Sequence, residues 1–176
     1  MPGIISKEYF KEAVAVCQYV IDEVKPERTK LSFEMMPYCF LDSPEEYLKF
    51  LQAVERKAVG VHLDICNNMN SPRRFYNNTD YIKHTFGLLK NEIVTLHLKD
   101  IDLRTGSLTV AFEEVLIGTG GMDYVTLMQE ISKLPVDTPA IVEHLQTEKQ
   151  YDMAAKAVTV FALKAGLHNE GLVWVP

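Results

Sequence analysis

Between Lys30 and Asp100 the chain reads L-S-F-E-M-M-P at 31–37, V-G-V-H-L-D-I-C-N at 59–67 and I-V-T-L-H-L-K-D at 93–100, with a late counterpart, A-I-V-E-H-L, at 140–145. Each is a short β-branched or apolar run that stops on an acid or an imidazole: Glu34, Asp64, His97 and Glu143. Runs of this length, set between helical segments, read as parallel strands buried on both faces. Parallel strands curled into a barrel gather the polar residues of their C-terminal ends in one mouth. Two Glu, one Asp and one His converging there make a hard, mostly oxygen site for a divalent cation.

Outward from these runs the intervening segments carry helical signals. Phe10, Ala13, Val14, Cys17, Val20, Ile21 and Val24 fall at helical spacing over 7–24, with Ser6 as cap, Glu8 in the first turn and Pro26 as stop. Ser43, Pro44 and Glu46 announce a second helix over 44–56. A third is expected over 79–90, a fourth over 124–133 capped by Asp123, and a last one from the Thr147/Gln150 capping box to about Leu163. The strands are expected at 30–35, 58–65, 92–98 and 139–144. Alternation puts Gly60, His62 and Asp64 on one face of the second, and Thr95, His97 and Lys99 on one face of the third. Residues 66–78 read as a long polar loop. The stretch 101–121 has no helical period, and alternating Leu108, Val110 and Phe112 allow a short extension or a hairpin arm there. G-T-G-G at 118–121 is a flexible turn, and the apolar tail G-L-V-W-V-P at 171–176 is expected to pack down. The order is one helix and then four strand–helix units. That is an α/β chain with a parallel sheet and right-handed crossovers, in a single domain over 1–176.

Composition narrows the function classes. A chain of 176 residues suits one domain with a sizeable core. With 47% hydrophobic and 24% charged residues the balance is globular rather than disordered. A net charge of −6 without a basic stripe argues against a nucleic-acid surface, while leaving a small anionic substrate open. Cys17, Cys39 and Cys66 stand singly, as reduced thiols rather than a disulfide framework or zinc ribbon. The start, M-P-G-I-I-S-K-E, has no signal-peptide pattern, and no apolar run reaches the roughly 18 residues of a membrane span. A soluble, cytoplasmic protein is expected.

Taken together, L-S-F-E, H-L-D-I-C-N, T-L-H-L-K-D, V-L-I-G-T-G-G-M-D-Y and I-V-E-H-L resemble the C-terminal half of the xylose isomerase-like TIM barrels, also grouped as AP endonuclease family 2. That superfamily includes sugar phosphate isomerases and epimerases, ketose epimerases, inosose dehydratase and, more distantly, endonuclease IV. The resemblance implies a partial (β/α) TIM-type barrel whose four parallel units correspond to strands five to eight. It implies one divalent metal ion (Mn, Mg, Co or Zn) held by Glu34, Asp64, His97 and Glu143, with Glu34 and Glu143 as the acid/base pair. A full barrel takes about 250 residues, so a half-barrel is expected, whether a natural short protein, a truncated product or a fragment. Many relatives place a His three residues after the metal Asp; here Asn67 stands there, with a carbonyl oxygen but no imidazole.

The implied activity is sugar or sugar phosphate isomerisation or epimerisation. A proton leaves a carbon beside a carbonyl and returns elsewhere, which calls for a base, an acid and a group that holds the substrate oxygens. An inosose-type dehydratase is the alternative enzyme, and an inactive metal-binding half-barrel or interaction subunit is the alternative of another class. An endonuclease IV-like phosphodiesterase would use three zincs and more His than the five present.

Each candidate also has a plainer reading. Glu34 could be an exposed strand-end acid, Asp64 the cap of an Asx-turn and His97 a hydrogen-bonded core histidine. Glu143 competes with His144 for the inward direction, and the family pattern selects the Glu. His62, one layer deeper than Asp64, reads first as a buried structural histidine. Lys99 could hold a substrate oxyanion or phosphate, or pair with Asp100 or Asp102. Arg73 and Arg74 could clamp an anion or stand solvated. Asn67 is a further substrate-side candidate, so the substrate-binding set is Asn67, Lys99, Arg73 and His62. Tyr38, Phe40 and Trp174 could stack on a sugar but read first as core. G-T-G-G has neither the Walker lysine nor the Rossmann spacing. Four parallel strands leave two open edges. The expected partners are therefore a small sugar and a second copy, or a missing N-terminal half-barrel, and neither nucleic acid nor membrane.

Overall fold

Caps and breakers set the element boundaries along the chain. A computed structural model describes residues 3–106, 108–171 and 173–176. Met1 and Pro2, which open the segment read for a leader, and Leu172 of the tail lie outside them. The first helix, α1 (Lys7–Val24), starts where Ser6 accepts the Tyr9 amide and stops at Lys25, whose left-handed backbone precedes Pro26. Strand β1 (Leu31–Glu34) leads to α2 (Pro44–Val54), capped by Ser43 with proline in the first turn. This helix ends two residues short of the expected 56, because Glu55 turns left-handed. Strand β2 (Val59–Asp64) follows, then α3 (Pro72–Tyr76), α4 (Asn78–Leu89) and β3 (Ile93–Leu98). A short arm of β4 (Asp100–Leu103) and β5 (Phe112–Val115) precedes α5 (Tyr124–Ile131) and β6 (Ala140–Val142). The capping box of Thr147 and Gln150 opens α6 (Glu148–Lys164), and β7 (His168–Glu170) and β8 (Val173–Val175) close the chain.

Four strands form one parallel sheet in the order β1-β2-β3-β6. The chain is thus an α/β fold consistent with a partial TIM barrel. The helices pack in chain order, α1 on α2, α2 on α4, α4 on α5 and α5 on α6. Most buried apolar side chains join one cluster between these helices and the sheet, centred on Tyr47, Phe50, Val61, Leu63, Ile82, Phe86 and Leu96. Tyr47 ties the edge strand to its neighbour. Its hydroxyl accepts the Phe33 amide at 3.1 Å, and its oxygen lies 2.6 Å from the Phe33 carbonyl and 3.0 Å from that of Gly60. A buried tyrosine hydroxyl needs such partners, and here they fix the backbone next to Glu34. A register shift at Val61/His62 against β3 brings Asp64 directly opposite His97.

One expectation needs correction, and another gains detail. The polar loop at 66–78 holds a 3-10 turn at Cys66–Asn68 and the helix α3, because Ser71 caps and Pro72 begins a helix as Ser43 and Pro44 do. The tail forms the antiparallel pair β7–β8, with Trp174 packed against the small cluster of Met128, Ala162 and Leu167.

Of the two forms the sequence allowed for this stretch, the arm is present, as the antiparallel pair β4–β5. The G-T-G-G turn beyond it folds around a carboxylate of the chain itself. The amides of Gly118, Gly120 and Met122 all donate to the buried Asp100. A Cβ on Gly120 would stand 2.3 Å from Asp100 Oδ1, so only glycine permits that approach. No described helix is long and apolar enough to cross a membrane.

Candidate metal centre

Glu34 ends β1, Asp64 ends β2, His97 lies one residue from the end of β3, and Glu143 directly follows β6. Because the strands are parallel, these positions share one rim of the sheet. One ligand atom from each of the four lies within 4.8 Å of the others. Nδ1 of His97 sits 2.8 Å from Glu143 Oε1, 3.2 Å from Glu34 Oε1 and 3.7 Å from Asp64 Oδ2.

A positive charge already stands in this group. Lys99 Nζ lies 2.7 Å from Asp64 Oδ2, 3.1 Å from Glu143 Oε1 and 3.6 Å from Glu114 Oε1. It also donates to Asn67 Oδ1 at 3.1 Å. This corrects the sequence-based pairing of Lys99 with Asp100 or Asp102. Asp100 is spent on the G-T-G-G amides, and Asp102 faces its own strand through the Leu103 amide. Burial works against the Lys99 charge, but the carboxylates outweigh it and hold the ammonium protonated.

The electrostatics divide the carboxyl groups. Burial pushes Asp64 up to about 6, against the pull of Lys99. Burial also raises Glu34, but its contacts with Asp64 and His97 outweigh that and leave it below its ordinary value. Asp64 therefore holds a proton more readily than its neighbour. Burial, then the nearby His97, lowers His62 and keeps it neutral.

Asn67 knits the rim together. Its amide donates to Asp64 Oδ1, so Asp64 caps the following loop, one residue further on than the Asx-turn of the plainer reading, and the Asn67 side chain donates to Glu34 Oε1 and the Met35 carbonyl. His62 packs edge-on against His97, ring centroids 4.1 Å apart. Of the Glu143–His144 pair, the acid faces the cluster. His144 takes a positive φ of 61° and turns to Glu114, 2.9 Å away. Arg73 is exposed on α3, whereas Arg74 binds the carbonyls of Asp42 and Asn68 and lies over Tyr81. Tyr38 is exposed, Phe40 packs among Tyr9, Phe10 and Phe50, and Trp174 belongs to the tail cluster.

Sequence reasoning missed Glu114. It reaches Lys99 and His144 from β5, and the alternation of Leu108, Val110 and Phe112 that allowed an arm did not say which end of the sheet the arm would meet. A cleft of about 500 Å³ opens beside the cluster, lined by Lys99, Asp100, Glu114, Glu143, His144 and Gln150 among others.

The donor set fits a divalent cation. Three carboxylates and an imidazole converge, and two buried carboxylate oxygens, Asp64 Oδ2 and Glu143 Oε1, have no aligned hydrogen bond. Lys99 Nζ meets both as an ion pair without hydrogen-bond angles. Buried carboxylate oxygens left without an aligned donor are the groups a hard ion would satisfy.

A family model described as xylose isomerase-like TIM barrel matches residues 1–161. Among solved structures, the chain resembles a xylose isomerase-like TIM barrel protein from Mycobacterium smegmatis in complex with magnesium, at 16% identity and a TM-score of 0.68, over 92% of this chain and 52% of that one. It also resembles the probable 3-DHS dehydratase AsbF, involved in petrobactin synthesis, from Bacillus anthracis, at 18% identity and 0.66, over 89% and 57%. An L-ribulose 3-epimerase aligns at 12% identity and 0.61, over 92% and 58%. At such identities the likeness speaks for the fold, and the chain spans about half the length of these structures. No curated protein matches the chain.

Proposed function

We propose, on the premise that the chain belongs to the xylose isomerase-like TIM barrel family, that it is a divalent-metal-dependent isomerase or epimerase of a sugar or sugar phosphate. The observation that carries this reading is the approach of Glu34, Asp64, His97 and Glu143 to within 4.8 Å of one another. In this reading β1, β2, β3 and β6 stand for barrel strands five to eight, in one domain over 1–176. The ion is Mn, Mg, Co or Zn, and its likeness to a magnesium-bound relative is in keeping with that. The protein works in the cytoplasm. Its second half-barrel comes from another copy or from a complementary N-terminal half.

Bound at these four residues, the ion would act as a Lewis acid that polarises the substrate carbonyl. Glu34 and Glu143 approach from opposite ends of the sheet order. One removes the proton from the carbon beside the carbonyl and the other returns it. Lys99 holds a substrate oxygen or phosphate, Asn67 orients Glu34, and His62 and Arg73 complete the substrate side.

A dehydratase is the second reading, favoured by the likeness to the probable 3-DHS dehydratase. The same carboxylates would then remove a proton and protonate a departing hydroxyl. The test is exchange in D2O. The purified chain with Mn²⁺ or Mg²⁺ is given a library of ketoses, aldoses and their phosphates, and deuterium at the carbon beside the carbonyl is read by NMR. Exchange that disappears in Glu34→Gln and Glu143→Gln supports the isomerase; a product with a new double bond supports the dehydratase. Neither outcome across the library leaves the metal-binding interaction subunit.

A further inference from the structure

Directly below the carboxylate rim, two imidazoles and a carboxylate lie together. Glu34 and His62 are Cα partners across β1 and β2. The His62 ring packs on that of His97 at 4.1 Å and 77°. One ligand atom each from Glu34, His62 and His97 lies within 4.8 Å of the others. Nε2 of His62 is buried without a hydrogen-bond partner, which is unusual for a polar atom removed from water.

We propose that Glu34, His62 and His97 form a second, nitrogen-rich seat for a divalent cation, overlapping the carboxylate seat and suited to borderline-soft ions of the zinc class. Ligand chemistry separates the two seats. Three carboxylates and one imidazole suit Mg²⁺ or Mn²⁺, whereas two imidazoles and one carboxylate match the sets that hold Zn²⁺. The upper seat competes with Lys99, whose ammonium contacts Asp64 and Glu143. The lower seat does not, since none of the ion pairs of Lys99 among the described residues involves Glu34, His62 or His97. Glu34 and His97 belong to both seats, so one ion excludes the other. Zinc in the lower seat withdraws two of the four ligands from the upper one and leaves the Lys99–Asp64 pair as it stands. The inference borrows two residues from the site proposed above but does not require that site to fill.

The experiment uses the full chain with one equivalent of Zn²⁺. Zinc K-edge X-ray absorption is expected to report two imidazole ligands; one imidazole among carboxylate oxygens would place zinc in the upper seat and overturn the proposal. In parallel, Zn²⁺ affinity is measured against a chromophoric chelator and Mn²⁺ affinity by electron paramagnetic resonance, in wild type and His62→Gln. Loss of a ligand is expected to weaken zinc by at least roughly tenfold while manganese changes by less than about twofold. Unchanged zinc affinity, or equal losses for both metals, would also overturn it. Two imidazoles on zinc in a chain that binds no manganese would support the lower seat and sink the upper one. Should His62→Gln not fold, the wild-type spectrum decides.

Discussion

Lys99 Nζ lies 2.7 Å from Asp64 Oδ2, with both side chains closed off from water. Removing one member of a buried ion pair strands the other and typically costs about 3–5 kcal/mol. Lys99→Met is expected to lower the metal-free chain's stability by up to about 3 kcal/mol at pH 8, because the buried Asp64 carboxyl loses the partner that favours its ionised form. Urea unfolding reads this. Added Mn²⁺ should recover much of the loss, because the ion takes over the counter-charge. An unchanged midpoint would show that the pair is not buried in solution.

Acid should loosen the metal and firm up the empty chain. A carboxyl raised from 3.8 to about 6 binds its proton more tightly folded than unfolded. Its share of stability is therefore full below 3.8 and lost as pH rises through about 6. Glu34 is lowered and runs the opposite way, its share present above 4.5 and lost as pH falls. Metal needs both carboxylates bare. Affinity measured by calorimetry should fall roughly tenfold per pH unit below about 6 and level off above about 7. A flat profile from pH 5 to 7 would contradict it.

The four rim residues should act as one ligand set. Asp64→Asn and His97→Ala are each expected to weaken Mn²⁺ by at least roughly a hundredfold, since even supporting partners of ligands cost 10–100-fold. Arg73→Ala, on the exposed face of α3, should leave Mn²⁺ affinity alone and change only substrate KM. Equal metal affinity in all three would dissolve the centre.

Gly120→Ala is expected to destabilise the chain by about 1–3 kcal/mol, the usual cost of forcing atoms into a packed site. The added methyl would meet Asp100 Oδ1 at 2.3 Å and the Ile101 carbonyl at 2.5 Å, and backbone cannot step aside. Gly106→Ala, where nothing lies within 4 Å, is the control. Thermal unfolding of the two side by side reads the difference.

Open edges at β1 and β6 call for a partner. Sedimentation equilibrium is expected to give twice the chain mass of 20.0 kDa. A monomer at tens of micromolar would assign the covering half to another polypeptide segment.

Much of this architecture was legible in the sequence because local chemistry and global fold agree. Ser6, Ser43, Asp123 and Thr147 all cap where their spacing said they would. Runs that end on Glu34, Asp64 and His97 are neighbouring parallel strands of one sheet. The helix α3 carried the same Ser-Pro signature but only five residues, too few for a period to stand out from an Asn-rich loop. The β7–β8 pair was hidden because three-residue strands show no alternation. At the rim, the partner of Lys99 was not readable. Its neighbours Asp100 and Asp102 are nearer in sequence, and only the fold turns the first toward glycine amides and brings Asp64 from another strand. Glu114 escaped for the same reason, as its position depends on where the arm lands.

The parallel order of the four strands settles how two copies can close a ring. A twofold axis along the strand direction joins β6 of one copy to β1 of the other without reversing either, so all eight strands still point one way. In such a ring both acidic rims would open into a shared vestibule, and a metal entering one would be felt electrostatically by its twin.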